Sequence, residues 1–218
     1  MENRKHYTTT VPSDYVLVKY VDAKKDKKLI VAYSVLSFVP VVILLPLLCL
    51  ASGLSVMYVL DNRNTFPALF IACIIMLVYI VLHELVHGVT YKAFTGAKLT
   101  FGFSLTVAFC GVPNIYVRKK ASLLSLFMPF LVFSLLFLGL TVVLWPLFPL
   151  YGILAGTVFA VHLGGCVGDL HWALLYHTRF RHCETLRRDS GPAQWLYIPG
   201  ADAERHGISP IVLPVGER

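Results

Sequence analysis

The chain has 218 residues, of which 57% are hydrophobic and 14% charged, with a formal net charge of +7 and a mean hydropathy of +0.71. A soluble domain normally carries about 25% charged residues, and disorder requires low hydrophobicity with high charge. Both classes are excluded, and a lipid bilayer is the expected solvent for a single domain.

A polar segment, 1–28, comes first. It is followed by four stretches longer than the roughly 20 residues needed to cross a bilayer core: about 29–60, 66–94, 123–145 and 148–177. The first stretch lies too far from the N-terminus, and is too long, for a signal-peptide core of about 7–15 residues. Pro40, Pro46 and Pro129 fall inside spans and are expected to kink or open them. The sequence therefore predicts an all-α membrane protein with about four transmembrane helices. Its parts are a cytoplasmic segment 1–28, a membrane-embedded domain 29–178 and a cytoplasmic tail 179–218.

Lys and Arg alternate along this plan. Seven precede the first span, one lies in the first loop, five in the middle connection, none in the last turn and six in the tail. By the positive-inside rule, both termini and the middle connection are cytoplasmic in a multi-pass protein. The positive charge flanks hydrophobic spans, so orientation and anionic lipid account for it and nucleic acid is not an expected partner. Five cysteines without CxxC spacing, four of them in apolar segments, argue against a disulfide framework.

The second span contains Val81-Leu82-His83-Glu84-Leu85-Val86-His87-Gly88, an HExxH pattern. On a helix the two histidines lie one turn apart, about 40° around the axis, so both imidazoles reach one ion. Glu84 points roughly 100° away from His83, suited to take a proton from water without ligating. This is the arrangement of zinc-assisted hydrolysis. Titratable residues inside an apolar span are costly and functional by default.

A catalytic zinc keeps three protein ligands and one open position. In span four, Asp169 lies ten residues before Arg179, and in span two His83 lies nine before Lys92. At 1.5 Å per residue both sit about 13–15 Å from the cytoplasmic charges. Asp169 is therefore the expected third ligand, the alternative being a carboxylate that orients a histidine. Gly164, Gly165 and Gly168 are expected to let span four approach span two closely. His162 and Cys166 share the Asp169 face. On a straight helix His162 is about 10 Å too deep for the same ion and suits a helix-packing hydrogen bond or a polar contact, while Cys166 is an alternative ligand. His171 and His177 are expected to be solvated near the interface.

Between spans two and three, residues 100–110 alternate apolar and small or polar, which signals a strand. Gly111-Val112-Pro113-Asn114 is the expected turn and 115–117 the return strand. The result is a membrane-associated β-hairpin between helices two and three. Its edge, with Phe101, Phe103 and Leu105, is a candidate binding strand for an extended peptide. In the tail, Trp195-Leu196-Tyr197-Ile198-Pro199 reads as an interfacial anchor, and residues beyond about 200 are expected to be disordered.

HExxH in an apolar helix, an alternating segment after it and Gly168-Asp169-Leu170 in a later helix resemble the site-2-protease-like intramembrane metalloproteases. The order is more closely similar to the putative zincin peptidases, through His83 to Gly88, Gly96-Ala97-Lys98 with Phe101-Gly102-Phe103, Pro129 and Gly168-Asp169-Leu170. The resemblance implies Zn2+ held by His83, His87 and Asp169, with Glu84 as catalytic base. It also implies cleavage of a membrane-associated peptide or transmembrane protein substrate. Two other readings remain open: a non-catalytic metal-stabilised scaffold or sensor, and a small metal transporter.

Overall fold

The structure is a computed structural model and describes residues 6–22, 25–103 and 108–213. In chain order its elements are β1 (Tyr7–Thr8), β2 (Tyr15–Asp22), α1 (Lys27–Ser52), α2 (Val56–Asp61) and α3 (Thr65–Thr95). Then come β3 (Thr100–Phe103), β4 (Ala108–Arg118), α4 (Lys119–Leu147), α5 (Pro149–Gly165) and α6 (Val167–His177). The tail holds β5 (Leu186–Asp189), β6 (Ala193–Pro199) and α7 (Gly200–Arg205). The fold is mostly helical. Three helices, α1, α3 and α4, are long and apolar enough to cross a membrane, and α5 with α6 makes a fourth if counted as one broken span.

The ends of these helices follow local chemistry. Asp26 caps α1 by accepting the Leu29 N–H, which meets one of the unpaired donors at a helix start. Gly53 and Gly96 close α1 and α3 in the left-handed conformation, with φ of 70° and 66°, where a Cβ would be strained. The outward faces stay apolar: Phe38, Phe66 and Leu135 are 69%, 76% and 66% exposed. Exposed apolar surface on this scale suits lipid far better than water.

The break in a span falls away from the prolines. α1 and α4 run unbroken through Pro40, Pro46 and Pro129. It is the fourth span that breaks, bending by 50° between α5 and α6. Gly164, Gly165 and Gly168 surround the break at Cys166, and each glycine weakens a helix by about 1 kcal/mol relative to Ala. The close approach expected between spans two and four is also relocated. A Cβ on Gly164 would collide with the Ser37 carbonyl of α1, whereas one on Gly165 would meet only the Tyr79 hydroxyl, at 3.7 Å. The tight glycine contact is thus with the first helix.

The β structure is larger than the expected hairpin and departs from an all-α fold. Six strands form one sheet in the order β1-β4-β5-β6-β2, with β3 on β4. β3 and β4 pair antiparallel from Thr100↔Gly111 to Phe103↔Ala108, so the chain reverses between Phe103 and Ala108, not at 111–114. Leu105 lies outside the described residues. Gly111 is extended, and a Cβ there would come within 2.8 Å of the Asp189 carbonyl and the Gly191 nitrogen. Its glycine serves close backbone approach. Pro113 sits where the β4–β5 register is interrupted between Val112 and Val117, a place where a missing N–H costs no ladder bond.

The tail segment read as an anchor is strand β6, paired along its length with β2. Trp195, Leu196 and Ile198 are buried, and Leu196 and Ile198 share a core with Val18, Trp172, Tyr176 and Phe180. Order continues past residue 200. The Gly200 N–H donates to the Asp14 carbonyl and the Ile211 N–H to that of Leu17, both at 2.7 Å, while Ala203 and Ile208 are buried. These segments find order because β2 and β6 give each other both backbone partners and a shared apolar face.

One buried ion pair joins sheet and helices. Arg187 and Asp189, both almost fully buried, meet at 3.0 Å. Tyr91 Oη donates to the same carboxylate at 3.0 Å, and the guanidinium lies 5.0 Å over the Trp172 ring. Burial opposes the Arg187 charge, but the neighbouring Tyr91 and Asp189 oxygens prevail and raise its pKa above the ordinary value. Removing one partner strands the other charge, which typically costs about 3–5 kcal/mol. Asp189→Ala is expected to lower the unfolding temperature of the detergent-solubilised protein sharply. An exposed Arg205→Ala change should leave it unchanged.

Candidate metal centre

The HExxH turn lies on α3, with His83 and His87 each 7% exposed. Their rings are 4.9 Å apart and edge-on. Asp169 enters from the first turn of α6, just after the break. Its Oδ2 lies 3.2 Å from His83 Nε2 and 3.2 Å from His87 Nε2. The three residues singled out from the sequence as ligands are therefore brought together, two donors from one helix and one from another.

His87 is held from behind. Its Nδ1 donates to the Ser125 carbonyl of α4 at 2.8 Å; a carbonyl only accepts, so the proton is on Nδ1. In its neutral form the ring turns the Nε2 lone pair toward a carboxylate oxygen. Two electron-rich atoms at this distance repel unless a proton or a cation lies between them. The set of two imidazole nitrogens and one carboxylate, with Glu84 nearby, fits a divalent cation of the zinc type.

The Ser125 carbonyl is free for a local reason. In an α-helix it would accept from the N–H four residues on, and that residue is Pro129, buried and within α4, which has no N–H. The proline leaves the acceptor that His87 uses. Pro129→Ala is expected to restore a competing N–H. It should weaken zinc binding by about 10- to 100-fold, the range for an outer partner of a metal ligand, while α4 stays helical, as read by metal titration with circular dichroism.

Glu84 lies beside the two histidines, with a carboxylate oxygen within 4.8 Å of a donor nitrogen of each. Its Oε2 accepts the Cys110 N–H of β4 at 2.7 Å, so the carboxylate bridges the helix to the strand. Burial and the Glu84 carboxylate push the Cys110 thiol up to about 12, which keeps it protonated and a poor ligand. A cavity of about 370 Å³ opens here, lined by His83, Glu84, His87, Asp169 and the 108–110 stretch of β4. β5 pairs with β4 only from Val112 onward. On the Glu84 side, residues 108–110 therefore have no strand partner among the described residues.

The other sequence candidates are placed as follows. His162 is fully buried, with Nδ1 2.7 Å from Tyr79 Oη and Nε2 3.1 Å from Ser134 Oγ. Cys166 is fully buried at the break, its Sγ 3.7 Å from His162 Nδ1. Phe101, in β3, is 53% exposed, and Phe103 pairs with Ala108. β3 lies on the far side of β4 from Glu84, so the strand beside the cavity is β4. His171 is not simply solvated, because its Nδ1 lies 2.8 Å from the Tyr33 hydroxyl. Sequence reasoning missed Tyr79, whose hydroxyl is 3.0 Å from His83 Nδ1. The available signal was spacing: Tyr79 is one helical turn before His83 on the same face.

A family model described as putative zincin peptidase matches residues 75–183, which holds α3 from before the HExxH turn, the β3–β4 hairpin, α4, α5 and α6. No curated protein and no solved structure matches the chain.

Proposed function

The chain belongs to the putative zincin peptidase family, and from that premise we propose that it is an integral-membrane zinc metallopeptidase acting on membrane-associated peptides or transmembrane segments. The observation that carries this reading is the convergence of His83 Nε2, His87 Nε2 and Asp169 Oδ2 beside the Glu84 carboxylate, whose Oε2 accepts the Cys110 N–H. α1, α3, α4 and the α5–α6 pair are the spans, with both termini and the sheet on the cytoplasmic side.

Zn2+ held by His83, His87 and Asp169 would supply Lewis acidity to a water molecule and to a peptide carbonyl. Glu84 takes the proton released as the water attacks and returns it to the leaving amine as the C–N bond breaks. The Cys110 N–H fixes the Glu84 carboxylate toward the cavity, limiting its search for the productive geometry. An extended substrate pairs by strand addition with those backbone groups of 108–110 that Glu84 does not occupy, which requires a transmembrane helix to unwind locally. That edge must be covered by protein or face water, since lipid does not tolerate bare backbone groups.

The test is cleavage of a reconstituted transmembrane peptide by the purified chain in liposomes. Activity is expected to vanish on chelation and to return with Zn2+ at stoichiometric amounts. Cleavage that survives complete metal removal would sink the proposal.

A further inference from the structure

Behind His83 lies a buried chain of hydrogen bonds for which the proposed reaction has no use. His83 Nδ1 lies 3.0 Å from Tyr79 Oη, and the same oxygen is 2.7 Å from His162 Nδ1. His162 Nε2 is in turn 3.1 Å from Ser134 Oγ. The surroundings are apolar: the Tyr79 ring packs edge-on against Phe133 and Phe137 at 5.0 and 5.4 Å. A polar chain in such a place is costly unless every member is satisfied.

The Tyr79 hydroxyl carries one proton and stands between two imidazole nitrogens. It donates to one ring and must accept from the other, so the tautomers of His83 and His162 are tied together. The chain has two self-consistent directions. In one, Ser134 donates to His162, His162 to Tyr79 and Tyr79 to His83, which leaves the His83 proton on Nε2. In the other, His83 Nδ1–H donates to Tyr79, Tyr79 O–H to His162 Nδ1, and His162 Nε2–H to Ser134 Oγ. Only the second presents a lone pair on the His83 Nε2 that faces Asp169.

We propose that Tyr79 and His162 are positioning residues that hold His83 with its proton on Nδ1 and its Nε2 free for the cation, as the Ser125 carbonyl does for His87. The proposal rests on the reading of His83 as a metal ligand. It explains why an imidazole with no place in the reaction is fully buried on α5, and why the break at Cys166 separates the residue acting behind His83 from Asp169, which acts in front of it.

The test uses the full chain in detergent micelles and reads Zn2+ affinity by competition with a chromophoric chelator. Tyr79→Phe keeps the ring and its packing but removes the hydroxyl. It is expected to bind zinc about 10- to 100-fold more weakly than wild type. His162→Gln, which offers an acceptor and a donor, should recover most of the affinity that His162→Leu loses. In zinc-loaded wild type labelled with 15N-histidine, the His162 ring should carry its proton on Nε2, a readout that a merely structural role does not move. Equal zinc affinity of wild type and Tyr79→Phe would overturn the proposal alone, whereas wild type that binds no zinc would remove it together with the metal reading. Donor atoms of His83, His162 and Cys166 also lie within 4.8 Å of one another. A cobalt-thiolate absorption band abolished by Cys166→Ser would therefore overturn the proposal in favour of a metal site at that cluster.

Discussion

Glu84→Gln is expected to lower peptide cleavage by about 10²- to 10⁴-fold, the usual contribution of a positioned general base, while bound zinc stays at the wild-type level. Glu84 stands next to His83 in sequence, and its Oε2 is engaged by the Cys110 N–H of β4, while Asp169 Oδ2 lies against both histidine nitrogens. Glutamine keeps the length and the carbonyl oxygen that accepts from Cys110, so the contact between helix and strand survives. What it loses is the ability to take a proton at neutral pH. The measurement pairs metal content by mass spectrometry with cleavage of a reconstituted transmembrane peptide. Unchanged cleavage by the variant would remove Glu84 from the reaction, and would favour the reading in which the metal only cross-links α3 and α6.

Asp169→Ala is expected to have the opposite signature, losing metal first and activity as a consequence. Asp169 Oδ2 is the single oxygen 3.2 Å from both histidine nitrogens. Its removal leaves two imidazoles on α3 and opens the third corner of the site to water. The affinity loss should exceed the 10- to 100-fold typical of an outer partner, and so exceed that of Pro129→Ala or Tyr79→Phe. The fold should tolerate the change, because the cores around α6 are carried by Trp172, Ala173 and Tyr176, all buried. Wild-type zinc affinity in Asp169→Ala would place the third ligand elsewhere.

The HExxH pair was legible because it depends only on helical periodicity: residues four apart share a face wherever the helix goes. Asp169 was legible from counting residues back to the flanking charges, since two helices ending on one side of a bilayer share a depth scale. The same arithmetic kept His162 out of the ligand set and gave it a helix-packing hydrogen bond, which it makes to Tyr79 and Ser134, but it assumed a straight helix across Gly164, Gly165 and Gly168. With α5 and α6 bent by 50°, His162 and Asp169 address opposite nitrogens of the same His83 ring, through Tyr79 on one side and directly on the other. The turn at 111–114 was misplaced because glycine and proline there answer to tertiary demands, a close backbone approach and an interrupted register, rather than to a reversal of the chain.

What the sequence determined by itself are properties that act within one helical turn or one run of apolar residues. Such are four long apolar stretches, two imidazoles one turn apart, and a proline inside the third that cannot donate an N–H. Only the tertiary structure decided which distant groups meet. It joined β2 to β6 across some 175 residues, gave the Ser125 carbonyl to His87, and set Glu84 against the Cys110 N–H. The physical reason is that strand pairing and outer hydrogen bonds are satisfied by whichever partner the packed chain brings within about 3 Å. Nothing in local propensity specifies that partner.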